Sequence, residues 1–477
     1  MLTFKYATSA LQGDTNLSSV IHTMAQNITT STHAGWQNQP DGRGTFDILK
    51  TCFATVFLTC WTNVCPNVPP LNRRLGTTMG RLQLFLLSLI GPDFVLSLAA
   101  GQLYRAWEDR KILQNYPQKW TLRACFFVNM GGLHIEFPQP DSTGQRSMPI
   151  NCKQLNYLVD NDYLKISDIE ITGKDIEARN KVDGIGRGIS AVQALWFVVN
   201  TIGRVAQGLH ITTLELTTLA TVFIMVLSSL TLWRKPMDVS QPIFIECTTK
   251  LDTIIWDAWI RHGLQGSQYG RTPLSFLDRK EWFVTRTWES YIQILRKIFL
   301  VKPRLDRQYS FASVDFFDAG ATWEWMVGFG MWILLYSAVF MGAWNNYFPT
   351  DAERVLWRIS SIICLSYGIL GAALAFIDYN RERMRMWWNN GSHVETKNPA
   401  EHRSVQLPKW VARIRNLSPD NDPQWEISLS IWIPITVLSV IYSFSRAFIL
   451  FEDLYGLRLQ PESAFQTVDW NQYSPLF

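Results

Sequence analysis

Gln193, Asn200, Arg204 and Gln207 interrupt an otherwise apolar run. Their offsets of 0, 7, 11 and 14 place them on one face of an α-helix, and Trp196, at offset 3, joins the same stripe. Ionisable side chains at bilayer depth are costly, so they turn toward a partner, a bundle interior or a cavity. A second apolar run follows the short link "GLHITT" and carries Glu215. Arg204 and Glu215 lie about equally far from that link, so a tight helical hairpin brings them to similar depth. The spacing predicts an Arg204–Glu215 pair. It acts either as a buried ion pair that sets helix register or as part of a site. In the second role, Arg204 stabilises developing charge, Glu215 orients it, and Gln193, Trp196 and Asn200 contact a ligand.

Asp93 is the other candidate. In "RLQLFLLSLIGPDFVLSLAAGQLY" it follows Gly91-Pro92, where a missing backbone donor should kink or break the helix. Asp93 either caps the half-helix that follows or serves as the acid or base of a reaction. Arg446 sits inside a late apolar run and is expected to snorkel or to reach a carboxylate on another helix. His134 and Glu136 alternate on "GGLHIEF" without a third ligand, so no metal site is expected there. "VDGIGRG" lacks a preceding strand with dinucleotide spacing and reads as a flexible helix entry. The sequence has no GxSxG, HExxH, P-loop or DDxxD-like run, which argues against hydrolase, metalloprotease, ATPase and metal-dependent prenyl-transfer chemistry. Neither a metal nor a cofactor is expected.

The elements that must position these residues are membrane spans. A crossing helix needs about 20 largely apolar residues. Seven segments qualify, at about 46–65, 81–104, 190–208, 211–233, 322–346, 354–378 and 427–451. The expected fold is an all-α membrane protein, a bundle of about seven transmembrane helices with long, partly structured extramembrane loops. The organisation is a polar segment at 1–45, helices 1–2 within 46–104, an extramembrane region at 105–189 and a transmembrane hairpin at 190–233. A second extramembrane region at 234–321, helices 5–6 within 322–378, a basic loop at 379–426, helix 7 at 427–451 and a tail at 452–477 complete it. Charged residues make up 18% of the chain, below the roughly 25% of soluble domains. The 21 Trp suit a membrane–water interface. A net charge of +4 gives no nucleic-acid footprint, and seven scattered Cys without a CxxC pair suggest neither zinc nor a disulfide framework.

The three large loops are rich in Arg and Lys, so the positive-inside rule puts them in the cytoplasm. With seven spans the N-terminus is then inside and the C-terminal tail outside. Arg73, Arg74 and Arg81 in the nominally outer first loop object to that orientation, and it silences the glycosylation sequons at Asn16 and Asn27. At the first span, Asp47 reads as a charge favoured by the helix N-terminus. Asn67, between prolines, reads as part of the turn that stops the helix.

Several stretches together resemble a broad, poorly characterised family of fungal polytopic membrane proteins. They are "GRGTFDI", Cys60-Trp61, "PNVPP", "FFVNMGG", the residues around Gln193, Trp196-Phe197 and Arg204, "LHITTLEL", "LWRKPMDV" and the tail from "FEDLYGLRLQPESAFQ". The family pattern usually has His where Cys65 stands and Glu where Asp93 stands. The resemblance implies an integral, multi-pass protein of the endoplasmic reticulum or another endomembrane. It is consistent with a cyclase- or isomerase-type enzyme, or accessory factor, acting on a lipophilic intermediate of specialised metabolism. A transporter or receptor-like protein, or a scaffold that gathers soluble pathway enzymes through the long loops, are the alternatives. The lipid bilayer and a lipophilic small molecule are the expected partners.

Overall fold

The computed structural model describes residues 33–38, 42–70, 76–117, 120–141, 144–169, 171–180, 184–239, 241–262, 272–278, 287–288, 290–294, 309, 311, 313, 323–388 and 429–473. Asn16 and Asn27 lie outside the described residues. The long helices are α1 (Thr45–Asn63), α2 (Gly76–Ile90), α3 (Pro92–Leu113), α7 (Gly184–Ala206), α8 (Thr213–Thr231), α10 (Trp323–Val339), α11 (Asp351–Trp388) and α12 (Leu429–Tyr455). Short helices α4 (Leu122–Phe127), α5 (Cys152–Asp160), α6 (Gly173–Arg179) and α9 (Leu251–His262) belong to the loops between them. Four stretches are long and apolar enough to cross a membrane: Gly186–Ala206, Thr213–Thr231, Asp351–Gly371 and Trp432–Arg458. Val327–Ala343 is apolar but shorter. Many of their large side chains face outward, among them Val192, Leu195, Ile202, Leu230, Ile433, Val437 and Phe444. An apolar outer surface is what lipid requires of a bundle whose inner face carries the polar groups.

The fold is not purely helical. Strand β2 (Leu133–Glu136) pairs antiparallel with β3 (Ser147–Pro149) and parallel with β4 (Ile243–Glu246), joining the two long loop regions in one sheet. Its core is continuous with the bundle, because Val68, Ala99, Ala106 and Leu113 pack with Phe127, Leu133, Ile135, Leu155 and Ile254. "FFVNMGG" runs from α4 into β2 through this core.

The segment at 81–104 is not a single span. Gly91 breaks it with φ −149° and ψ 80°, leaving α2 and α3 as two arms. Arg81, low on α2, pairs with Asp238 at 2.8 Å, and Gln102, low on α3, accepts from Lys235 at 2.8 Å. Both arms therefore return to one end of the bundle, while the break at Gly91-Pro92 reaches Tyr442 and Arg446, well inside α12. The cause is local: Pro92 has no N–H for the preceding turn, and Gly91 tolerates the break.

The α2–α3 pair is thus a helical hairpin broken at Gly91-Pro92, not one continuous helix. Strands β1 (His33–Ala34) and β5 (Gln460–Pro461) pair antiparallel, so these two segments meet at one end of the bundle. We call this the termini end and the opposite one, next to β2–β4, the sheet end.

Candidate functional site

The break in the α2–α3 hairpin leaves two kinds of orphan backbone group inside the bundle. The last carbonyls of α2 lack intrahelical partners, and so do the first N–H groups of α3. Arg446 answers the first: its Nε donates to the Ile90 carbonyl at 3.3 Å. Asp93, in the first turn of α3, places a carboxylate at the positive end of the second. The two groups are electrostatic neighbours. Tyr442, one turn before Arg446 on α12, donates to the Asp93 carboxylate, its Oη lying 3.2 Å from both oxygens. Tyr367 stacks on the Tyr442 ring at 4.3 Å, and Phe94 meets it edge-on at 6.0 Å. The Arg446 guanidinium lies 4.8 Å from the Phe340 ring centre and 5.7 Å from that of Tyr336. Arg446 is 1% exposed, yet its Nη1 and Nη2, like the Tyr336 hydroxyl, have no hydrogen-bond partner among the described residues.

A buried polar atom without a partner costs about 1–3 kcal/mol. Here several such atoms converge within aromatic walls, beside a carboxylate and a phenol. A carboxyl and a phenol can exchange a proton with a neighbouring group, and a preorganised guanidinium stabilises negative charge that develops there. No group of three His, Cys, Asp or Glu capable of holding a metal occurs among the described residues.

The expected Arg204–Glu215 constellation forms at the termini end, with different emphasis. Arg204 Nε is 3.9 Å from Glu215 Oε1, whereas Arg43 Nη2 reaches the same oxygen at 2.5 Å. The Arg204 guanidinium donates to the carbonyls of His210, Ser463, Ala464 and Gln466 at 2.7–3.1 Å. Glu215 also accepts from the N–H and hydroxyl of Thr212, closing a capping box at the start of α8. Both residues thus hold the C-terminal tail and a helix entry together. Gln193 Nε2 donates to Thr55 Oγ1 at 3.0 Å and ties α7 to α1. Trp196 is 54% exposed and its ring lies 5.8 Å from Trp470 of the tail. Asn200 is half-buried on the same helix. None of these residues meets Asp93, which stands apart from them deeper in the bundle.

A third polar centre lies at the sheet end. Lys235 is 3% exposed, and its Nζ donates to the Cys65 carbonyl at 2.9 Å, to Asn67 Oδ1 at 2.8 Å and to Gln102 Oε1 at 2.8 Å. Burial pulls the ammonium down to about 8. Asn67 is therefore more than a turn residue, and Cys65 supplies its carbonyl here, not its thiol. Beside them lies a cavity of about 30 Å3 whose polar lining is Asn67, Gln102, Arg105, Asn129, Asn151 and Lys235. "PNVPP", "FFVNMGG" and "LWRKPMDV", far apart in sequence, meet at this point.

Sequence reasoning singled out Asp93 and Arg446 but not their adjacency, and it passed over Tyr442 and Lys235. Tyr442 is four residues from Arg446, a same-face spacing that was legible. Lys235 just beyond a span looks like any interfacial cation, so its burial had no signal.

The sequence profile of a family described as a family of unknown function (DUF8562) matches residues 17–260 and 331–477, and the chain belongs to that family. No curated protein and no solved structure matches the chain.

Proposed function

We propose that this member of DUF8562 is a membrane-embedded acid–base enzyme, or an accessory factor of cyclase or isomerase type, acting on a lipophilic small molecule. One observation carries the reading: a helix break delivers Asp93 into the bundle opposite Arg446, whose outer nitrogens have no hydrogen-bond partner among the described residues. In this mechanism Asp93, hydrogen-bonded by Tyr442, donates or accepts the proton. Arg446 stabilises the oxygen that gains negative charge, and Tyr336, Phe340 and Tyr367 provide an apolar, cation-tolerant wall. Arg204 and Glu215 are positioning residues in this scheme. The resemblance to fungal polytopic proteins suggests an intermediate of specialised metabolism as substrate and an endomembrane as the location.

The topology that fits best has six crossings, α1, α7, α8, α10, α11 and α12, with α2–α3 entering and leaving from the sheet end. By the positive-inside rule the sheet end is assigned to the cytoplasm, and the paired strands β1 and β5 then lie on the lumenal side. Arg81, paired with Asp238, then falls on the cytoplasmic side and no longer objects.

A re-entrant broken helix with a charged group at its tip is also a transporter device, which keeps transport as the second reading. Deleting the gene and profiling lipophilic metabolites separates the possibilities. An accumulated, unconverted precursor supports the enzyme. A finished product retained in the cells supports transport, and a general loss of flux without a precursor supports a scaffold.

A further inference from the structure

At the termini end, the link between α10 and α11 frames an open recess of about 420 Å3, lined by His210, Asn345, Asn346, Tyr347, Arg354 and Arg358. Small-molecule sites ordinarily span roughly 300–1,000 Å3, so it has the room of one. None of the six lining residues is acidic. Arg354 and Arg358 stand one turn apart on the same face of α11. The Arg358 guanidinium is held in place: Nε and Nη2 both donate to the Trp344 carbonyl at 3.0 Å, and its carbon lies 5.0 Å from the centre of the Trp344 ring. Neither contact neutralises its charge, and it forms no ion pair among the described residues. Arg354 Nη2 meets Asp351 Oδ1 at 2.9 Å, but the Asp351 side chain is 90% exposed, and such a pair holds little. Glu353, the other acid in the first turn of α11, is taken by Arg458 at 2.5 Å. Even with Asp351 counted, the two guanidinia leave one positive charge in excess. Asn346 Nδ2 donates to the Ile211 carbonyl at 3.0 Å and fixes the link against the start of α8.

Position narrows the class of ligand. Asp351–Gly371 is apolar and long enough to cross a membrane, and both arginines belong to its first turns. Arg358 is seven residues into α11, about 10 Å along the axis. Its guanidinium nevertheless turns back to a carbonyl that precedes the helix, as a snorkelling arginine does. Trp344 and Tyr347 are residue types of the membrane–water interface. Val355, Ile359 and Ile362, at offsets 0, 4 and 7, are exposed on the adjoining face of α11. They give an apolar chain a surface to follow from the guanidinia toward the middle of a bilayer.

We infer that this recess binds the phosphate of an anionic membrane phospholipid, whose acyl chains lie along Val355, Ile359 and Ile362. Guanidinium is the side-chain group best shaped for phosphate, and basic pockets between crossing helices hold acidic headgroups. A choline headgroup would bring a cation of its own against two guanidinia, so the anionic lipid is preferred. The site rests on Asp351–Gly371 crossing a bilayer and is independent of the chemistry at Asp93.

The test titrates the full-length chain, in a non-ionic detergent at fixed ionic strength, with dioleoylphosphatidylglycerol and counts bound lipid by native mass spectrometry. Phosphatidylcholine with the same chains is the comparison lipid, and inorganic phosphate is the competitor. Native protein should prefer phosphatidylglycerol by about tenfold, and Arg354→Gln and Arg358→Gln should each abolish that preference. Arg354→Gln breaks only the exposed Asp351 pair and carries the test if Arg358→Gln does not fold. Arg261→Gln, which removes an exposed charge at the sheet end, should bind as the native protein does. Equal affinity for the two lipids, or an undiminished preference in Arg354→Gln, overturns the proposal. So does displacement of the lipid by inorganic phosphate at matched concentration, which would make free phosphate the ligand. An equal loss in Arg261→Gln also overturns it, because net charge alone would then explain the binding.

Discussion

Asp93 and Arg446 show how one break in a helix can set up chemistry. The break exposes an Ile90 carbonyl and the N-terminus of α3, and each draws a group of opposite polarity into the bundle interior. A buried charge pair of this kind contributes little net stability, but removing one member strands the other. Arg446→Met should therefore destabilise the fold by about 3–5 kcal/mol. Adding Asp93→Asn should recover part of that loss, read as a non-additive double-mutant cycle in denaturing-detergent titrations. Additive effects would mean that the two groups do not share one electrostatic site. Arg446 was recognisable in the sequence as an intramembrane cation in need of a carboxylate. Which carboxylate it meets depends on how α12 packs against the hairpin, and that is long-range information no local pattern carries.

The elements were legible to different degrees. The apolar runs gave α7, α8, α11 and α12 closely, because lipid selects length and hydropathy directly. The run at 81–104 is apolar over much of its length, and Gly91-Pro92 marked a break without revealing that the chain turns back there. Strands β2, β3 and β4 were harder still, since each is 3–4 residues long and β2 follows directly from a helical turn. That sheet makes its own prediction. Burial beside Phe244, at 5.6 Å between ring centres, holds the His134 imidazole down to about 4, against 6.5 in an unfolded chain. Between those values the unfolded chain binds a proton that the folded one excludes. Stability is therefore unaffected above about pH 6.5 and falls as the pH drops toward 4, by up to about 3 kcal/mol. Thermal unfolding followed from pH 7.5 to 4.5 should show this loss, and His134→Phe should flatten it. An unchanged slope in His134→Phe would assign the acid sensitivity elsewhere. In the same sheet region, a Cβ on Gly132 would sit 2.5 Å from the Phe127 carbonyl oxygen. Gly132→Ala should thus cost about 1–3 kcal/mol, because backbone cannot move aside as a side-chain tip can. A midpoint within error of the native one would show that the α4–β2 junction relaxes freely.

At the scale of the whole molecule, the proposed six-crossing topology changes the parity of the chain, because the α2–α3 hairpin enters and leaves from one end. Seven crossings would put the termini on opposite sides, whereas the β1–β5 pairing brings residues 33–34 and 460–461 together, which suits an even number of crossings. The proposed orientation predicts that the sequons at Asn16 and Asn27 are used in the lumen. Endoglycosidase treatment should then increase mobility on a gel, and the shift should be lost when both Asn are changed to Gln. An unglycosylated N-terminus that a cytoplasmic-side protease can reach would reverse the orientation. Within this frame the three polar centres divide the work. The termini end locks the tail, the hairpin tip offers acid, phenol and guanidinium, and the sheet end holds the buried Lys235 ammonium beside a small polar cavity. The central claim is that the tip is where a lipophilic molecule is transformed. Its most direct test compares lipophilic metabolites of cells carrying native protein, Asp93→Asn and a gene deletion, with membrane levels of the first two matched. The account predicts that Asp93→Asn reproduces the precursor accumulation of the deletion. A metabolite profile identical to that of the native protein would contradict it.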